Sequence, residues 1–413
     1  MKTGFAKVVL FGFAILVVAL ILAKWKAEDR SKALNQLKNT YQVTFNIFND
    51  EVHLTASSPK ITNLNKLAEL IERAERMEDG TPLVPWVLDL TGNPNLKSFE
   101  GVARLQNLRS IIAVDCPKLA SATGIAGMPH LSEIILSHNA VLADVSEIRD
   151  LPSLVTLDLT ASPILQKLEF GDLPKLENLY LSGSRSLERL DVTARASLKQ
   201  LYLDSCMLID EIVGLENLIH LTDLDISNCQ KLKHLKGVEK LAELIVLDMR
   251  NVELVDFSVI GNLPKLEVLR LAGQGSLTNL EPFSKLQTLR EFHLESCPNI
   301  QSLQGIPPTV SEYLGVIRCD KLVSLAGLEV ATELQHVDLN SCTALEDIEA
   351  LKSVTGLIRL SLLHCPKIKN VQQLEHNRNL AFVRLGDTGV IAADVEPLQE
   401  LLPDTVFDFS IPE

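Results

Sequence analysis

Apolar residues fall at fixed places along this chain, in pairs that straddle one polar residue and then give way to a polar turn. Examples are Leu88-Asp89-Leu90-Thr91-Gly92-Asn93, Leu201-Tyr202-Leu203-Asp204-Ser205-Cys206 and Val337-Asp338-Leu339-Asn340-Ser341-Cys342. Alternation over so short a run predicts a strand with one buried face. The last position of the unit recurs as Asn93, Cys116, Asn139, Ser162, Ser184, Cys206, Cys229, Val252, Gln274, Cys297, Cys319, Cys342, Cys365 and Thr388, every step being 22 or 23 residues. Apolar residues return between the strands, as at Leu232, Leu235, Val238, Leu241 and Leu244. One strand per repeat, with a return segment, predicts parallel pairing from repeat to repeat, which needs a crossover of about a dozen residues. The period leaves little room for an α-helix there, so extended or 3₁₀ return segments are expected.

With the motif L-x-L-x-x-(N/C) at this period, the sequence resembles the leucine-rich-repeat family from about Val87 to Phe407. The resemblance implies an α/β repeat solenoid, a horseshoe with parallel strands on its concave face and 3₁₀ or extended segments on its convex face. At about 4.8 Å per strand, the repeats would make an arc of roughly 65 Å.

The Asn/Cys position lies inside the coil and donates to backbone carbonyls, Asn by its amide and Cys more weakly by its thiol. The ladder residues expected on this basis are Asn93, Cys116, Asn139, Cys206, Cys229, Cys297, Cys319, Cys342 and Cys365. Val252 has no donor and Gln274 is longer than its neighbours, so a break is expected at those two repeats.

The N-terminus follows a different pattern. After a basic tail, residues 1–7, the stretch Val8 to Ala23 is unbroken apolar sequence of 16 residues. It spans about 24 Å as a helix, slightly short of a hydrocarbon core of about 30 Å. Lys24, Trp25 and Lys26 then read as an interfacial anchor. A single transmembrane helix over 8–23 is expected, with a cleaved signal peptide as the rival. Residues 24–86 read as a stalk and N-terminal cap: a polar helix over Lys26 to Lys38, an edge strand over Tyr41 to Phe48 and a helix over Leu64 to Met77. The solenoid proper is placed at 87–395, its last repeat merging into a C-terminal cap over 396–413, where Phe407 and Phe409 would cover the final rung. Open solenoid ends expose core and need such caps.

Composition narrows the function. The apolar fraction is 46% with only 5% aromatic, which suits a narrow repetitive core. A net charge of −14 argues against nucleic acid, whose affinity rests on Lys and Arg. All seven cysteines occupy the ladder column, so no C-x-x-C pair exists for zinc or redox chemistry. Stacked thiols favour a reducing compartment. Lys24, Lys26, Arg30, Lys32 and Lys38 after the apolar run point the same way by the positive-inside rule. The short basic tail points to export instead, and the balance tilts to a cytoplasmic body. No phosphate loop, H-E-x-x-H or G-x-S-x-G motif is present. The reading is therefore not an enzyme, and no cofactor is called for. Neither His364 beside Cys365 nor His234 near Cys229 is expected to form a dyad, since the column turns the thiols inward.

The outward strand positions are the candidate binding surface. Tyr and Arg are enriched in binding hot spots, and they cluster with acidic residues at Tyr180, Tyr202, Asp204, Asp225, Asp248, Arg250, Arg270 and His293. In the family the resemblance suggests, the strand face often binds protein. The expected partner is another protein, with the acidic residues suited to a basic one, met by a scaffold or receptor-like module on a membrane. A regulator wrapping a basic protein and a structural or adhesive envelope protein are the rivals. Ile112, Val114 and Ile135 form a second, apolar cluster, either a partner site or a surface lying under the N-terminal cap.

Overall fold

The computed structural model describes residues 2–411 apart from 49–50, 76–83 and 170, and side chains from residue 22 onward with the exception of Phe48 and Glu51. The chain divides into two compact units, residues 1–162 with 169–175, and residues 163–168 with 176–413.

The first unit opens with helix α1 (Lys2–Tyr41), then the antiparallel hairpin β1 (Val43–Phe48) and β2 (Glu51–Ala56), then helix α2 (Asn65–Ala74). Among the described residues no helix is long and apolar enough to cross a membrane. The predicted membrane segment, 8–23, lies almost wholly among residues whose side chains fall outside those described. Lys26 to Lys38 is not a separate stalk helix. It continues α1, and its Ala33, Leu34 and Leu37 are buried where α1 packs on α2. Arg73 of α2 joins the two helices through Asp29, its Nε donating to Oδ2 at 3.1 Å. The part of the predicted second helix beyond Glu75 lies outside the described residues.

β2 then pairs in parallel with β3 (Pro85–Asp89), the first repeat strand, and β4 (Ser110–Ile112), β5 (Glu133–Ile135) and β6 (Thr156–Asp158) follow in parallel register. The cap is thus a strand-for-strand continuation of the sheet. Its hairpin sits at the far edge of β3, so Ile112, Val114 and Ile135 do not lie under it but stay half-exposed on the strand face.

The second unit carries β7 (Asn178–Tyr180), the short return-side strand β8 (Arg189–Asp191), β9 (Gln200–Tyr202) and β10 (Glu211–Val213), which pairs with β8. β11 (Asp223–Asp225), β12 (Val246–Arg250), β13 (Val268–Ala272), β14 (Glu291–Glu295), β15 (Tyr313–Ile317), β16 (His336–Asp338), β17 (Arg359–Ser361) and β18 (Phe382–Arg384) follow. Helix α3 (Ala392–Leu401) and β19 (Val406–Asp408) close the chain. From β7 through β9 and β11 to β19 every neighbour pairs in parallel. The returns are 3₁₀ turns, as at Leu215–Asn217, Val238–Lys240 and Leu328–Val330. The C-terminal cap begins earlier than residue 396, with α3, whose Val395 and Leu398 are buried. Phe407 pairs with Val383 of the last repeat, whereas Phe409 lies beyond the last paired residue and is 37% exposed.

The ladder column closes every turn. The residue before it has positive φ in each repeat, from Gly92 (72°), Asp115 (53°) and Ala161 (57°) to Arg318 (54°) and Asp387 (55°). This reverses the chain into the coil. Asn139 donates from Nδ2 to the carbonyls of Ala113 and Leu136, both at 2.8 Å, and accepts the Cys116 N–H at 2.8 Å. Asn93 does likewise with Ala56, Leu90 and Ser58. Cys116, Cys206, Cys229, Cys342 and Cys365 each point Sγ at a carbonyl of the preceding rung, 3.1–3.3 Å away. Cys297 and Cys319 point at carbonyls of their own rungs, at 3.6 and 3.7 Å, and interact with each other across the rungs. The break expected at Gln274 is partial: that residue keeps the donated bonds, but its buried Oε1 accepts none. Its longer side chain folds back, and Nε2 donates to Met249 O at 3.1 Å and Ala272 O at 2.9 Å. Val252 interrupts that stretch of the column outright.

Candidate functional site

Because side chains alternate along a strand, the residue between the two buried positions faces outward on every rung. Parallel register carries this into one continuous row in the second unit: Tyr180, Tyr202, Asp225, Asp248, Arg270 and His293 stand directly opposite one another in turn. Six of the eight residues singled out from sequence therefore form one line. Asp204 and Arg250 lie two residues further along their own chains, in the next outward row.

The row is built in three parts. The Tyr180 and Tyr202 rings lie 5.2 Å apart, tilted by 35°, and the Tyr180 hydroxyl donates to Gln200 Oε1 at 2.7 Å. Burial pushes the Tyr202 phenol above its ordinary pKa. Next come the carboxylates. Asp225 accepts the Ser227 N–H at 2.8 Å, and Asp248 accepts the Arg250 N–H at 3.2 Å. Asp89, Asp158 and Asp338 do the same for Thr91, Thr160 and Asn340. An aspartate at this position is an Asx turn that starts the reversal after the strand. The acidic stripe that suggested a basic partner is therefore in part turn chemistry. Burial raises the Asp225 pKa against the hydrogen bonds from Ser227, and Asp248 and Asp204 raise it further.

Asp248 is only 6% exposed and holds Arg250, whose Nε lies 2.9 Å from Oδ1 and whose second nitrogen lies 2.8 Å from Oδ2. Asp204 gathers Asn228 Nδ2 at 2.7 Å and Ser227 Oγ at 2.8 Å. The third part is Arg270 and His293. Glu291 lies between them, 4.0 Å from Arg270 and 3.3 Å from His293 Nε2. His293 also stacks on Tyr313 at 4.6 Å. Burial, with Arg270 nearby, lowers its pKa against the pull of Glu291, so it is neutral at neutral pH. A groove of about 700 Å³ follows the strand ends beside this row, lined in part by Asp204, Asn228, Arg250, Glu295 and Arg318.

Asn228, Tyr313 and Arg318 were missed from sequence. Tyr313 precedes a buried position instead of following it, and the two outward rows meet only once the rungs are in register. In the first unit, Asp89, Ile112, Ile135 and Asp158 form the equivalent row. Cys365 is buried, its pKa raised to about 11, while the exposed His364 ring turns to Asp387 at 2.9 Å. Among the described residues no group of three or more His, Cys, Asp or Glu side chains is placed to hold a metal ion.

One strand per 22–23 residues in parallel register, with a buried column of Asn, Cys and Ser at the turns, sets the architecture. The fold is a leucine-rich-repeat solenoid. Solved structures with a similar fold include a leucine-rich-repeat protein of Leptospira interrogans, 19% identical, covering 91% of this chain and 98% of its own, with a TM-score of 0.49. An internalin of Listeria monocytogenes is 17% identical over 84% of this chain and 95% of its own, at a TM-score of 0.46. The functional domain of InlJ from the same organism, which includes a cysteine ladder, is 17% identical over 75% of this chain and 66% of its own, at 0.47. No protein-family model and no curated protein matches the sequence.

Proposed function

We propose that this leucine-rich-repeat protein is a membrane-anchored, non-catalytic binding module that recognises another protein through the outward strand face of its second unit. The observation that carries the reading is the unbroken row from Tyr180 to His293, flanked by Asp204 and Arg250. Paired tyrosines offer large, stiff contact area with a polar tip. Arg270 is about two-thirds buried and Arg250 is held in place by Asp248, so little side-chain entropy is lost when a partner meets them. Asp225 and Asp248 are engaged in turns, and among the described residues Asp204 accepts from neutral side chains only, Ser205, Ser227 and Asn228, so its charge is left for a basic group.

The anchor is the apolar run 8–23. Its place in the same helix that docks on α2 favours a body held close to the bilayer. The cysteine column and the Lys/Arg excess after the run favour a cytoplasmic body.

The test is photo-crosslinking in native membranes from a reactive side chain at position 202, followed by identification of the product. A single dominant adduct, lost in Asp204→Lys, is expected. No adduct, or one indifferent to that charge reversal, would count against the face. Retention in the pellet after an alkaline carbonate wash, abolished by deleting residues 2–23, is expected for the anchor.

A further inference from the structure

Beyond His293 the strand face changes character. Along β15 to β18, Tyr313, His336, Arg359 and Phe382 stand opposite one another in the outer row, and Gly315, Asp338, Ser361 and Arg384 in the next. A groove of about 300 Å³ opens there over Asp338 and the small Ser361, between Tyr313 and Phe382. The Tyr313 ring folds over Gly315, where an added Cβ would meet its atoms at 2.8–2.9 Å. Phe382 forms the opposite wall, with the Arg384 guanidinium 5.6 Å from its ring centre.

The cations here are poorly spent within the molecule. Arg359 is exposed, and among the described residues no carboxylate lies within 4.0 Å of it. Arg384 comes no closer than 4.0 Å to Asp408. Arg359 stands opposite Phe382, and Arg384 lies two residues on along the same strand, so both point into the same side of the groove. Asp338 is on the floor, its carboxylate tied to the turn at Asn340.

We propose that this groove binds an extended peptide segment of a protein partner bearing a carboxylate beside an apolar or aromatic side chain. The carboxylate meets Arg359 and Arg384, and the apolar group lies between Tyr313 and Phe382. Planar guanidinium groups suit a carboxylate in two-point contact. A dense polyanion such as RNA is disfavoured by Asp338 on the floor and by the net charge of −14. The chemistry is opposite in sign to that at Asp204, so the face would read a partner that is basic at one end and acidic at the other. The inference rests on the reading that the strand face binds protein, but it concerns different rungs and fails separately.

The test uses full-length protein and a fluorescein-labelled decapeptide alternating Glu with Phe, followed by fluorescence anisotropy. Saturable binding is expected, weakened about tenfold or more in the double variant Arg359→Gln, Arg384→Gln and in a peptide with Gln for Glu. Both arginines are exposed, so the variant keeps its far-UV circular dichroism and melting temperature. Tyr202→Ala with Asp204→Lys leaves this affinity unchanged, which separates the groove from the upstream row. Equal binding of the Glu and Gln peptides, or an unaffected arginine variant, overturns the proposal. So does a single-stranded RNA oligonucleotide that binds more tightly than the peptide and displaces it.

Discussion

Asp248 and Arg250 sit two residues apart on one strand, and the buried carboxylate of the first holds the half-exposed guanidinium of the second at 2.8 Å. Removing the two partners should have unequal effects. Arg250→Ala strands a buried carboxylate and should cost about 2–3 kcal/mol, below the 3–5 kcal/mol of a fully buried pair. Asp248→Asn keeps an acceptor for the Arg250 N–H and leaves a guanidinium that water can reach, so about 1 kcal/mol is expected. Urea denaturation of the two variants checks the order, and the reverse order would mean that the arginine is held by something else.

The ladder makes a second contrast. Asn139→Ala deletes two donated bonds and one accepted bond inside the coil. At about 1 kcal/mol per bond plus the cost of unsatisfied backbone groups, a loss of roughly 3 kcal/mol is expected. Ser184 occupies the same column, but its buried hydroxyl has no partner. Ser184→Ala should therefore be neutral or slightly stabilising, measured in the same melts.

Ala161 tests the turn. It holds φ of 57° without the freedom of glycine. A left-handed alanine costs about 1–2 kcal/mol, part of which is offset by the greater unfolded-state entropy of glycine. Ala161→Gly should raise stability by about 0.5–1 kcal/mol, read as a higher urea midpoint. An unchanged or lower midpoint would show that the neighbouring rungs absorb the strain.

Asp225 gives a pH dependence. Its pKa is raised in the folded state, so the folded chain binds the proton more tightly than the unfolded chain. The contribution is fully present below the unfolded aspartate pKa and is lost as pH rises through the folded value. Asp225→Asn keeps the acceptor for Ser227 and removes the charge. It should melt higher than the parent at neutral pH, with the difference shrinking as pH falls toward 4.

All seven thiols are free and buried, and burial raises the pKa of Cys206 and Cys342 to about 12. Reaction with a thiolate-selective reagent at neutral pH should be negligible in the native protein and complete in denaturant. Fast native labelling of any cysteine would place it outside the column.

The column of Asn, Cys and Ser spaced by 22 or 23 residues was enough to read strand number, register, the inward face and the fate of every cysteine. A one-residue error in register would turn each leucine outward, so the apolar pattern leaves no freedom there. Periodicity alone likewise puts six of the binding candidates in one row. It could not say what those residues were already doing. Whether Gln274 fits a column of smaller side chains depends on a fold-back of its own amide. Whether an outward aspartate is a ligand or a turn depends on the N–H two residues later. Tyr313, Arg359 and Phe382 are unremarkable in three separate repeats and line one groove only where the rungs stack. Sequence spacing determines which face a residue takes, because one backbone period is repeated. Which faces become sites was decided by the tertiary structure, because cross-rung contacts join residues more than twenty positions apart.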